Sequence, residues 1–190
     1  YSQSKPQKMS TKCIQYGSAL AIAGALLLSS CSATHPTITF SDPYDSVQQF
    51  MEGIYNADQS VDVPPSVYRI RATVVPHHLT ASTSIAAGVK ILSNQHVKRI
   101  VLLSPDHFHQ CPTLLCTVNG VFHTKLGEVR TDVSIVDRLT RSSLVTETGG
   151  LFQKEHGIYA VLPFIAHYEP NVSVTPSSTR RASTAASSRS

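Results

Sequence analysis

Four of the nine histidines sit where apolar runs stop. His77 and His78 follow Val74-Val75-Pro76, and His107 and His109 follow Leu103-Ser104-Pro105-Asp106. Imidazole binds zinc, iron, copper and nickel, so ligand type alone leaves the metal open. Two histidines and one carboxylate around open coordination positions make the pattern of non-haem iron oxygenases. Glu155 is the first candidate for that carboxylate and Asp106 the second. His123 and His167 read as ordinary surface or strand-edge residues.

Two strands are needed to bring such groups to one rim. Ile100 to Leu103, entered from Lys98-Arg99 and stopped by Ser104-Pro105, has the unbroken apolar character of a buried parallel strand. Ile70 to Val75 runs into His77-His78 in the same way. Between them Ile85, Ala86, Val89, Ile91 and Leu92 give residues 81–93 one apolar helical face. Strand, helix and strand then form a right-handed crossover with the two strands adjacent. Ligands of open α/β sheets bind beyond the carboxyl ends of the strands, where these histidines stand.

The remaining elements follow from similar signals. Asp42-Pro-Tyr-Asp45 can cap a helix whose face is Phe50, Met51, Ile54 and Tyr55, ended by Val63-Pro-Pro-Ser66. Asn119-Gly120, between Leu114–Val118 and Val121–His123, is a hairpin signal. Thr131 or Asp132 can cap a helix through Val133, Ile135, Val136 and Leu139, and Gly149-Gly150 marks a mobile connection. Ile158 to Ile165 is a further apolar segment. From about Pro170 the chain turns to Ser, Thr, Ala and Arg, and from Thr175 it has no Leu, Ile, Val or aromatic residue, which predicts disorder over 171–190.

With 190 residues the chain is expected to build a single core. The net charge of +4 belongs largely to the ends, through Lys5, Lys8, Lys12, Arg180, Arg181 and Arg189, and no basic stripe interleaved with aromatics argues for nucleic acid. Residues 1–30 have the form of a secretory leader starting at Met9, with the apolar run Ala19 to Leu28 too short for a comfortable membrane span. Leu28-Ser-Ser-Cys31 resembles a lipobox, which implies lipidation at Cys31 and a membrane-anchored lipoprotein of the cell envelope, facing periplasm or exterior. Export leaves Cys111 and Cys116 either as a small-loop disulfide or as buried small hydrophobes.

Four ordered motifs carry a resemblance: Val74-Val-Pro-His-His78, Leu103-Ser-Pro-Asp-His107, Thr124-Lys-Leu-Gly-Glu-Val-Arg-Thr-Asp132, and Glu155-His-Gly-Ile-Tyr-Ala-Val-Leu-Pro-Phe164. Over residues 71–170 they resemble the Memo-like family, also called AmmeMemoRadiSam system protein B. The resemblance implies an α/β fold, a mainly parallel sheet flanked by helices, related to class III extradiol ring-cleaving dioxygenases and incomplete at the C-terminus. It implies a divalent metal, iron or copper, held by His77 and His107, with Glu155 and His156 matching a Glu-His pair of the same pocket. This chain differs from the family pattern at Ser104, where glycine is usual, at Lys125, where proline is usual, and at Gly157, where serine is usual. The family's third ligand, a C-terminal cysteine, has no counterpart, as expected of a truncated or frame-shifted C-terminus.

The expected organisation is therefore a leader over 1–30, a tether and helix over 31–65, a Memo-like α/β domain over 66–170 and a disordered tail over 171–190. The expected function is redox or dioxygenase-like chemistry on an unknown small molecule, with His77 and His107 holding the metal and His156 and Glu155 serving catalysis, His156 as the proton carrier. A non-catalytic metal-binding lipoprotein and an inactive remnant are the competing classes.

Overall fold

The computed structural model describes residues 37–65 and 67–180. The leader, Cys31 and the last ten residues lie outside that range. Among the described residues no helix is long and apolar enough to cross a membrane.

The fold is α/β with two small mixed sheets packed with helices. The first sheet has the order β1-β4-β5, with β1 spanning Ile38–Ser41, β4 Gly120–Thr124 and β5 Gly127–Arg130. The second has the order β2-β7-β3-β6, with β2 at Arg99–Pro105, β7 at Ser173–Thr179, β3 at Leu115–Thr117 and β6 at Val145–Glu147. Pairings β1–β4, β2–β7 and β3–β6 are parallel, and β4–β5 and β3–β7 are antiparallel.

Helices α1 (Gln48–Ser60) and α2 (Ser82–Lys90) pack together, and both touch α6 (Leu162–Tyr168). Helix α2 buries Ile85, Ala86 and Val89, the face expected from its spacing. Helix α1 buries Phe50, Gly53, Ile54 and Ala57 but leaves Met51 and Tyr55 in solvent, so its apolar stripe is rotated from the expected one. Its start has no side-chain cap. Asp42 instead accepts hydrogen bonds from the backbone N–H groups of Tyr44 (2.8 Å) and Lys125 (3.1 Å), tying β1 to the turn between β4 and β5. Asp132 does cap α3 (Val133–Leu139), accepting from Ile135 N at 3.2 Å.

Four local expectations fail for nonlocal reasons. Ile70 to Val75 forms no strand and joins no sheet, so the expected crossover onto β2 is not formed. The place beside β2 is taken on one side by β7, seven residues of the segment expected to be disordered. Its Val174, Thr175, Pro176, Ser177 and Ser178 are buried, because hydrogen bonding to β2 and β3 on either side supplies the order that apolar content does not. Asn119-Gly120 makes no hairpin: it connects strands of different sheets, and glycine is required because a Cβ at 120 would lie 2.7 Å from Ile38 O on the neighbouring strand. Gly149-Gly150 opens α4 (Gly149–Phe152), whose Leu151 and Phe152 are buried.

The core is continuous from β1 and β4 through α2 to α6. Phe40 stacks on Phe122 at 4.6 Å between ring centres, and Phe50, Phe152, Tyr159 and Phe164 are fully buried around them. Cys111 and Cys116 form a disulfide, with Cα atoms 5.7 Å apart, and both are buried in this core.

Candidate metal centre

Strand β2 ends at Pro105, and the loop that follows carries the site. Asp106, 2% exposed, accepts from the backbone N–H of Phe108 (3.1 Å) and of Cys111 (2.7 Å), which curls residues 106–111 into a fixed turn. Its own N–H donates to Thr179 O at the end of β7. Asp106 is thus a structural carboxylate, and the turn it holds points His107 back over the sheet edge.

His107 is fixed from behind by Glu155. The carboxylate, 0% exposed, receives the His107 backbone N–H at Oε2 (3.1 Å), lies 2.5 Å from His107 Nδ1 through Oε1, and caps α5 (His156–Tyr159) by accepting Gly157 N–H at 3.2 Å. A buried carboxylate of this kind holds a proton on Nδ1 of the ring and leaves Nε2 with its lone pair free, the arrangement in which a histidine binds a cation. With both oxygens occupied in this way, Glu155 orients a ligand rather than acting as one. The sequence put Glu155 forward as the carboxylate of the site; here it caps α5 and braces His107.

His107 Nε2 faces His77 Nε2 at 3.1 Å. Two nitrogens bound about 2.0–2.1 Å from one ion are separated by roughly 2.9–3.4 Å for bond angles between a right angle and tetrahedral, so this spacing fits a shared cation. His156, first residue of α5, completes a group in which one nitrogen from each of His77, His107 and His156 lies within 4.8 Å of the others. The His107 and His156 rings are 3.9 Å apart. These three residues could bind a metal ion. His156, expected as the proton carrier, stands among the potential ligands.

The protonation of these rings also suits metal binding. His77 is held below the ordinary histidine value, first by desolvation, then by His107 and His78, with Glu155 opposing. His156 is lowered by desolvation and then by His107, again against Glu155. Crowded, partly desolvated imidazoles disfavour the cationic form, which keeps the lone pairs of His77 and His156 available near neutral pH.

His78 lies at the margin, its ring 4.5 Å from His77 and 5.4 Å from His156. His109 is exposed and has a left-handed backbone, φ 53°, in the turn that Asp106 organises. His123 is 3.6 Å from Glu128 on the surface, and His167 is exposed.

Ser104 and Gly157, two of the positions where the chain differs from the Memo-like pattern, are in contact with one another. A Cβ on Gly157 would fall well inside the contact distance of Ser104 Oγ, and would also stand 3.2 Å from His107 Cε1. The side chain that the pattern places at 157 is here supplied from the opposite wall by residue 104. Neither substitution alone would disclose this, since the pair is 53 positions apart in the chain.

A cavity of about 710 Å3 opens beside His77, Ser104 and Gly157 and extends along β2. None of the curated proteins matches the chain. The two mixed sheets flanked by helices are compatible with a Memo-like, extradiol dioxygenase-like fold. The family model described as Memo-like protein matches residues 32–188, which is most of the chain, and the chain belongs to the Memo-like family.

Proposed function

We propose that this protein is a metal-dependent oxidoreductase of the Memo-like family, binding one divalent iron or copper ion on His77, His107 and His156. The observation that carries the reading is the 3.1 Å approach of two Nε2 atoms whose outer ring is braced by the buried Glu155. Three imidazole ligands leave coordination positions open, and a bound iron or copper ion would supply redox chemistry there.

The protein's own contribution is positional. Glu155 keeps the His107 tautomer fixed, the Asp106 turn sets the height of that ring above the sheet, and Pro76 ends the segment that presents His77. His78, at the margin of the cluster, is the side chain available to move a proton at the edge of the site.

Metal analysis after loading with Fe(II) or Cu(II) tests the ligand set. One equivalent is expected for the parent chain, and His77→Ala, His107→Ala and His156→Ala are each expected to lose it. Unchanged metal content in all three variants would exclude the site. Oxygen uptake by the loaded protein with catechol-type compounds then separates an oxidoreductase from a metal carrier.

The leader-like run ending at Cys31 supports anchoring of the chain to the cell envelope by a lipid. Incorporation of labelled palmitate that is lost in Cys31→Ser tests it.

A further inference from the structure

Beside the metal centre the structure leaves an unusual slot. One wall is β2, at the edge of its sheet and paired with β7 on one side only. The other wall is the segment from Ile70 to His77, which belongs to neither sheet. Among the described residues, Arg71 to His77 make no backbone hydrogen bond. The cavity between the two walls is floored by Val89, Leu92, Val97, Val161 and Ile165.

Apolar side chains continue to the mouth, where Val74 is 100%, Val101 57% and Leu103 62% exposed. The edge of β2 and a second backbone, both with N–H and C=O groups unpaired among the described residues, thus face a common apolar gap. An aliphatic ligand would cover the side chains and leave those polar groups buried without partners, which is costly. A peptide in extended conformation would satisfy both edges at once.

Charge sets its direction. Arg71 and Arg99 line the slot at the start of β2 and imidazole stands at the other end. Arg99 Nε is paired with Asp132 Oδ2 at 2.5 Å, so Arg71 is the lining cation without an ion pair among the described residues. We propose that the slot binds an extended peptide with alternate apolar side chains, inserted antiparallel to β2 with its terminal carboxylate at Arg71. Seven residues, the length of β2, span roughly 23 Å at the rise of a strand. The inward side chains rest on Val89, Leu92, Val161 and Ile165, and the amino end lies toward His77. This binding is a property of the slot and does not rest on the metal reading.

The test uses the full, metal-free chain and a fluorescein-labelled heptapeptide, TVTITVT with a free carboxylate, followed by fluorescence polarisation. Saturable binding is expected. The same peptide N-methylated at alternate residues keeps its apolar surface but cannot pair, and it is expected not to bind. Replacing the carboxylate by an amide is expected to weaken binding by about 3- to 10-fold in the parent chain and to have little effect in Arg71→Gln, which removes an exposed side chain and leaves the fold intact. Equal binding of the N-methylated peptide, or displacement of the label by laurate, would identify a lipid-type slot and overturn the proposal. A stable dimer by light scattering that excludes the peptide would place a second copy there and overturn it too, as would the absence of saturable binding.

Discussion

Gly157→Ala is the sharpest probe of how this site is packed. The added methyl group would press into Ser104 Oγ and stand 3.2 Å from His107 Cε1 and 3.3 Å from Ser104 Cβ, all on buried or half-buried groups. Ser104 is 4% exposed and its hydroxyl donates to Pro105 O at 3.2 Å, so turning it aside toward the cavity breaks that bond. Overpacking of this kind costs about 1–3 kcal/mol. For a chain of this size that corresponds to a fall in Tm of roughly 2–12 °C, taking roughly 2–4 °C per kcal/mol.

The cost is specific to the pair. Ser104→Gly alone loses about 0.5–1 kcal/mol by putting glycine in a strand. The double variant Ser104→Gly/Gly157→Ala is expected to recover most of the loss, giving a coupling energy of about 1–3 kcal/mol between the two sites. Thermal unfolding by circular dichroism measures all four corners of the cycle. Metal affinity, measured on the same proteins, is expected to fall in Gly157→Ala and return in the double variant, because the displaced group is the wall of the His107 ring. Additive losses, with the double variant no more stable than Gly157→Ala, would refute the packing argument.

Glu155→Gln keeps the shape but weakens the hold on His107 Nδ1, and loss of such an outer partner is expected to lower metal affinity by about 10- to 100-fold, as read by competition with a chelator. Ser178→Ala removes a buried hydroxyl that has no partner among the described residues, and is expected to raise stability by about 1 kcal/mol in chemical denaturation, with Ser177→Ala behaving likewise. The metal-free protein is expected to lose stability as pH falls. His77 and His156 are depressed in the fold, so above about 6.5 both states are neutral and neither ring contributes, while below it the unfolded chain takes up protons that the fold refuses. Tm measured from pH 7 downward should decline, and the decline should be shallower in His77→Ala/His156→Ala.

Local pattern carried much of this protein. The run Ile100 to Leu103 does form β2, but as an edge strand with Val101 and Leu103 exposed and not as the buried strand its unbroken apolar run predicts. The spacing of Ile85, Ala86 and Val89 defines α2 and Asp132 starts α3, because helical periodicity and capping chemistry act within a few residues. The histidines at the ends of extended segments were legible for the same reason, and with them the pair His77 and His107. What the sequence did not contain was pairing at long range. Ser173–Thr179 has the composition of a disordered tail, yet its neighbours β2 and β3, more than fifty residues back, make it an interior strand, so propensity yields to hydrogen bonding and burial. Ile70 to Val75 stays outside the sheet although the other edge of β2 has no partner among the described residues, and the gap between them is the slot. Tertiary structure also brought His156 in among the potential ligands, turned Glu155 into the brace of His107, and set Ser104 against Gly157. Each of these is a contact between elements, and contacts of that kind leave no periodic trace in a single chain.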